Sequence, residues 1–255
     1  MPLLSYNEYN KLGKFNLPLT LVLRSRGGEA LYYFGEEHSY DPNHKQWDVQ
    51  RDFFKSFAKE TSDRKRVIFT EGGCLDCEST EADSIKKYSG MGLAVFLAKK
   101  EGIEVYSPEP KWDDQINNSL KEFTRDQIFL FYCLRRIYSK KEFREEIISD
   151  IGNIFKKTEG WSDYNFSFQN FLKIYQDVVK RDFIPDDMDY FGKLVRPNTN
   201  DNEITNKISS LVSQSRDRSI VQKIKDYIDN GYSIYIQMGF THLVIQEPAL
   251  REFLG

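Results

Sequence analysis

Two of the chain's three histidines stand in the same kind of place. His38 ends the segment Gly35-Glu36-Glu37-His38, and His242 ends Gly239-Phe240-Thr241-His242, near the other end of the sequence. Glu71 lies in Thr70-Glu71-Gly72-Gly73 and Glu109 in Pro108-Glu109-Pro110. Two imidazoles and a carboxylate are a sufficient ligand set for a catalytic divalent cation, with one position left for water. Such a cation lowers the pKa of its water and polarises a carbonyl. Ligand type alone does not choose among zinc, manganese and cobalt. Arg216 joins the set because it falls four residues before Ile220, on the apolar stripe of a predicted helix. A guanidinium on that face requires a carboxylate or an anionic ligand. The third histidine, His44, follows His38 by six residues on the same predicted loop. It is either an additional site residue or the start of the next helix.

These residues can meet only if strand polarity gathers them. Residues 17–25 and 30–35 are short apolar stretches around Arg26-Gly27-Gly28-Glu29, which reads as a β-hairpin because adjacent glycines supply the positive φ of a tight turn. Residues 45–59 read as a helix with Trp47, Phe53, Phe54 and Phe57 clustered on one face. A buried strand follows at 66–70, a helix at 90–101 closed by Gly102, and a strand at 103–106 stopped by Pro108 and Pro110. Helical segments then dominate at 120–138, 140–157, 166–181 and 202–214, with breaks at Gly160 and at Arg196-Pro197-Asn198-Thr199-Asn200. A helix at 216–229, a strand at 233–238 and a short helix at 247–254 complete the chain. The pattern predicts an α/β fold: a mainly parallel, mixed sheet flanked by helices, with an N-terminal hairpin. A core domain of residues 1–113 and 212–255 is interrupted by a helical insertion at 114–211. In a parallel sheet every strand ends at one edge, where ligands bind. His38, Glu71, Glu109 and His242 all follow predicted strand ends, and Arg216 opens a helix at the same edge.

Composition narrows the function classes. The 255 residues carry 36 Lys+Arg against 39 Asp+Glu, a formal charge of −3, with 40% hydrophobic residues. This balance gives no support to a nucleic-acid surface. The clusters Arg64-Lys65-Arg66 and Arg135-Arg136 are too small to change that. No apolar run approaches the roughly 18 residues of a membrane span. Met1-Pro2-Leu3-Leu4-Ser5-Tyr6 lacks the features of a secretory signal, so a cytoplasmic protein is expected. Cys74-Leu75-Asp76-Cys77 has no second pair to complete a structural zinc site, and Cys133 sits in an apolar run. Gly90-Met91-Gly92 reads as close helix–sheet packing rather than a phosphate-binding turn.

Taken in order, the paired Gly-x-x-His motifs, Glu71, the helical insertion and Arg216-Asp217-x-x-Ile220 resemble the TIKI/TraB (PrgY-like) proteins. They also resemble the wider superfamily that holds the erythromycin esterases and the haem-binding ChaN-like proteins. The stretch from Gly35 to His44 is similar to the ChaN and esterase side, and Arg216 to Leu243 to the TraB side. The resemblance spans about residues 18–110 and 212–254. Arg216-Asp217 stands where TraB-like proteins often have Arg-Asn. A TIKI-like reading implies metal-dependent hydrolysis of a peptide bond, with His38, Glu71 and His242 holding the metal. Arg216 would then stabilise oxyanion charge or orient a substrate carboxylate, and Glu37 or Glu109 would serve as general base. The esterase resemblance implies a metal-free variant in which His38 activates water, held by Glu71 or Glu37. The ChaN resemblance implies haem with a histidine or a tyrosine, Tyr40 being nearest, as axial ligand. A non-catalytic interaction domain is the remaining alternative. The expected partner is a peptide or a small ester or amide substrate, with no nucleic acid.

Overall fold

Every residue of the strand Ala30–Glu36 is buried, which marks it as a strand covered on both faces. The computed structural model describes residues 2–73, 75–197 and 203–255. Two compact units divide the chain, residues 1–110 with 216–255 and residues 111–215. In chain order the first unit contains α1 (Tyr6–Tyr9), β1 (Leu19–Arg24), β2 (Ala30–Glu36), α2 (Gln46–Glu60), β3 (Lys65–Thr70), α3 (Glu81–Lys100) and β4 (Glu104–Tyr106). The second unit contains α4 (Trp112–Ser119), α5 (Arg125–Lys140), α6 (Glu146–Phe155), α7 (Phe168–Val179) and α8 (Met188–Val195). Next comes α9 (Ile204–Asp229), whose residues from Arg216 belong to the first unit, followed by β5 (Tyr232–Gly239) and α10 (Phe240–Leu254). The fold is α/β, as the alternation of strand and helix signals predicts.

The five strands lie in the order β1-β2-β5-β3-β4. β1 pairs antiparallel with β2 as a hairpin, and the other pairings are all parallel. β5 is the last strand in sequence yet sits at the centre, with Glu36 opposite Gly239 and Thr70 opposite Gln237. Side chains alternate between faces along each strand. Leu31, Tyr33, Val67, Phe69, Ile234, Ile236 and Met238 pack against α9 and α10. Tyr32, Phe34, Ile68 and Tyr235 pack on the opposite face with Phe54 and Phe57 of α2 and Ala94 and Ala98 of α3. The second unit is built around its own aromatic core, in which Phe155 and Trp161 lie 4.3 Å apart between ring centroids.

Several elements differ from the sequence pattern. α9 is one helix of 26 residues rather than two at 202–214 and 216–229; Ser213-Gln214-Ser215 contains no breaker and stays helical. α3 begins at Glu81, nine residues earlier than expected, because Thr80 caps it through a bond from Asp83 N–H at 3.2 Å. α10 starts immediately after β5, where a loop was expected. His242 through Gln246 are all buried, so the helix lacks the one-sided stripe that reveals helices in sequence. α8 carries no expectation at all, and the expected break at Asn198-Thr199-Asn200 lies outside the described residues. Among the described residues no helix is long and apolar enough to cross a membrane.

Gly35 has a packing role. A Cβ there would lie 2.9 Å from Phe240 Cα, so β2 and the start of α10 approach closely only over a glycine. Gly35→Ala should therefore destabilise the protein by about 1–3 kcal/mol in urea unfolding through overpacking. Unchanged stability would show that the two elements can separate without loss.

Candidate functional site

β2, β3 and β5 end at one edge of the sheet, and the charged residues collect there from both faces. Period-two alternation puts Glu36 on the face of Phe34, toward α2 and α3. Glu71 continues the parity of Phe69, toward α9 and α10. His38 and Glu36 therefore come from one side, and Glu71, Arg216, Asp217 and His242 from the other.

Glu36 is fully buried and accepts four hydrogen bonds. His38 Nδ1 lies 2.6 Å from Oε1, Ser89 Oγ 3.1 Å from Oε1, Gly90 N 2.9 Å from Oε2 and Gln237 Nε2 2.9 Å from Oε2. Ser89, Gly90 and Gln237 all donate to Glu36, and the remaining acceptor position on Oε1 is the one that His38 Nδ1–H meets. The Glu36 hydrogen bond, opposed by burial, raises the His38 pKa above the ordinary histidine value. Nε2 then faces Glu71 Oε2 at 3.8 Å, and the His38 side chain is 48% exposed.

The donors to Glu36 are held by a kink in α3. Ser89 has φ 58° and ψ −149°, a conformation that a side chain disfavours. Its hydroxyl donates to Glu36 and accepts from Ser39 N–H at 3.2 Å, tying the His38 loop to the carboxylate. A Cβ on Gly90 would lie 2.0 Å from Glu36 Oε2, so only glycine brings that N–H into reach.

The second imidazole is built similarly. His242, in the first turn of α10, places Nδ1 2.7 Å from Asp217 Oδ1, which also accepts from Gln246 Nε2 at 2.6 Å. Gln246 Oε1 in turn accepts from Tyr33 OH at 3.1 Å. Asp217 is fully buried, and its Oδ2 has no hydrogen-bond partner among the described residues. His242 Nε2 lies 3.4 Å from Glu71 Oε1. Burial pulls the His242 pKa down, but the bonds to Asp217 and Glu71 outweigh it and lift the imidazole to about 9.

Glu71 stands between the two rings. Arg216 Nη2 donates to Oε1 at 3.0 Å and Gly239 N–H to Oε2 at 2.8 Å. Burial alone would raise this carboxyl, but His242, Arg216 and the Gly239 N–H hold it well below the usual range. Arg216 Nη2 also donates to Glu109 at 2.5 Å, and Glu109 accepts from Gly72 N–H at 2.6 Å. Burial works against the guanidinium charge, but the two carboxylates raise its pKa. The β3 exit is shaped by Gly72, at φ 67°, which lets Glu71 and its following N–H both face Arg216 and Glu109. Gly239 has φ −57°, which any residue adopts, yet a Cβ there would sit 3.2 Å from His38 Nε2 and 3.5 Å from Glu71 Oε2. Its lack of a side chain keeps a gap open beside the imidazole.

Of the residues singled out from sequence, the structure brings together His38, Glu71, Glu109, Arg216 and His242. It does not bring in Glu37, His44 or Tyr40. Glu37 is exposed and, among the described residues, engages only through its backbone, donating to and accepting from the Gln46 amide at 3.2 and 2.7 Å. The acidic partner of His38 is Glu36, one residue earlier, because strand parity turns that side chain inward. His44 opens α2, its Nδ1 accepting from Gln46 N–H at 3.4 Å, and Tyr40 is 59% exposed. Glu36 and Asp217 were missed. Glu36 is an acid closing a wholly apolar strand, and Asp217 neighbours the inward arginine; both signals were legible. Cys74 lies outside the described residues, and Cys77 is a free thiol.

His38, His242 and Glu71 match a divalent cation by donor type, and both imidazoles have the carboxylate-held Nδ1 typical of metal ligands. They meet at one edge but do not surround a common point: among the described residues no three His, Cys, Asp or Glu side chains are grouped to hold a cation. Glu71 instead gives one oxygen to Arg216 and the other to Gly239. No family model, curated protein or solved structure matches the chain.

Two outcomes follow. Ser89→Ala and Ser89→Gly both lose the hydroxyl, but only glycine relieves the backbone, so the glycine variant should be more stable in urea by about 1–3 kcal/mol. Equal stabilities would show that Ser89 is unstrained. Because the His242 pKa is raised from 6.5 to about 9, its contribution is complete below pH 6.5 and disappears as pH rises through 9. In chelator, stability should fall over that interval by about 3 kcal/mol. His242→Asn should flatten the slope, and an equally steep fall in that variant would reject the assignment.

Proposed function

We propose that the protein hydrolyses an ester or amide bond, with His38 accepting the proton of the attacking water. The supporting observation is the His38–Glu36 pair: a half-exposed imidazole with a raised pKa, backed at 2.6 Å by a fully buried, four-fold hydrogen-bonded carboxylate. Glu36 fixes the tautomer and stabilises the imidazolium that forms, leaving Nε2 as the base. The gap kept by Gly239 lies against that nitrogen. His242, protonated at neutral pH and 10% exposed, has its two ring nitrogens committed to Asp217 and Glu71, so it supplies positive potential across Glu71 rather than a hydrogen bond to the substrate. Arg216 is committed to Glu71 and Glu109, so its part is to hold the carboxylates in place. Glu109 is likewise an anchor for Arg216 rather than a base.

A metal-assisted version of the same hydrolysis has its own support in charge. Glu36, Glu71, Glu109 and Asp217 are four carboxylates, each no more than 18% exposed, around the single guanidinium of Arg216. Either a proton on His242 or a divalent cation lessens that excess. His38, His242 and Glu71 would hold the zinc, manganese or cobalt, which would act as a Lewis acid. The TIKI/TraB and erythromycin esterase resemblance accords with both versions. Haem has less support, because the groups facing His38 Nε2 are charged.

Hydrolysis of a p-nitrophenyl ester and of a peptide library tests the reading. His38→Asn should lose at least about 100-fold in kcat with stability changed by no more than about 1–2 kcal/mol. Activity surviving excess chelator supports the His38 base, whereas activity restored only by added zinc, manganese or cobalt supports the metal version. Hydrolysis undiminished in His38→Asn would overturn both.

A further inference from the structure

The antiparallel strand β1 begins where β2 ends, with Leu19 opposite Gly35. The chain that leads into β1 therefore lies at the same edge as His38. Residues 9–17 form an open cavity there of about 420 Å³, walled by Tyr9, Leu12, Lys14, Phe15, Leu17 and Phe240 among others. Phe15 stacks on Tyr9 with ring centroids 6.3 Å apart and 15° between planes, and lies 5.9 Å from the Phe240 ring. Tyr9 OH and Thr241 Oγ1 are 3.2 Å apart, joining this wall to the first turn of α10. Phe240 directly follows Gly239, the residue beside His38 Nε2. Leu12 is 44% exposed, an apolar side chain facing water at the cavity. Lys14 is exposed and is the one charged residue on the walls.

We propose that this cavity is a binding subsite for an aromatic or bulky apolar group that carries a carboxylate. The ring would pack against Phe15 and Phe240, and the carboxylate would meet Lys14. The size suits one such group, at the lower end of small-molecule pockets. Aromatic walls favour a planar ring by offset or edge contacts. An exposed lysine–carboxylate pair adds little affinity, so apolar contact supplies the binding and Lys14 the preference in charge. The substrate class this implies for the hydrolase is an ester or amide with an anionic aromatic portion. That extension rests on the proposed hydrolysis; the binding does not.

The test titrates the full chain by NMR with 3-phenylpropionate, 3-phenylpropionamide and acetate. Saturable binding of the phenylpropionate, absent for acetate, is expected. Phe15→Ala and Leu12→Asp should each weaken it at least fivefold, and Lys14→Gln should remove the preference for acid over amide. Leu12 is exposed, so its variant guards against misfolding as the cause. Acetate binding as well as phenylpropionate, or both pocket variants binding normally, would overturn the subsite. Hydrolysis of a phenylpropionyl-bearing ester separates the two readings. Pocket-dependent binding without His38-dependent turnover removes the hydrolase and keeps the subsite. His38-dependent turnover with KM unaltered by Phe15→Ala and Leu12→Asp does the reverse.

Discussion

The carboxylate of Glu71 is the interaction on which the site depends. It leaves β3 at the sheet edge and accepts from Arg216 of α9 and from the backbone of Gly239 at the start of α10. It also lies beside both imidazoles. A buried anion of this kind is tolerable only with donors around it, and here the donors arrive from separate elements. The same contacts that keep Glu71 charged hold α9, α10 and β3 in register at their ends. The two glycines of the Gly-x-x-His motifs serve this convergence crosswise. Gly35, of the first motif, admits the start of α10, and Gly239, of the second, leaves room beside His38.

The site is costly to build. It buries the carboxylates of Glu36 and Asp217 and half-buries those of Glu71 and Glu109, places Ser89 at an unfavourable backbone angle, and leaves Asp217 Oδ2 and Arg216 Nε without hydrogen-bond partners among the described residues. Each choice works against stability. A region devoted only to packing has no reason to gather them. The apolar contacts of β2, β3 and β5 on both faces supply the stability that carries the arrangement. Concentration of strain and buried charge at one strand edge is the physical ground for reading chemistry there.

The fold class was legible because a parallel sheet writes itself as short apolar runs separated by amphipathic helices. α2, β3 and β5 fall close to their expected limits for that reason. α10 is largely illegible, since a helix buried on most sides has no stripe, and α9 reads as two segments, 202–214 and 216–229, although nothing between them breaks a helix. In the cluster, His38, Glu71 and His242 were legible from their positions after strands. Glu37 is named from sequence and Glu36 is not, although alternation continued from Phe34 past Gly35 turns Glu36, not Glu37, inward.

By itself the sequence determined the alternation of strands and helices in the sheet unit, the edge at which the charged residues cluster, and which histidines fall there. Local pattern suffices for that, because side-chain periodicity and glycine turns act over a few residues. Only the tertiary structure decided that Glu36 backs His38, that Asp217 backs His242, and that Glu71 lies between the imidazoles. Those pairings depend on β5 entering between β2 and β3 and on the kink at Ser89. Both are products of packing between residues far apart in the chain, and no local signal encodes them.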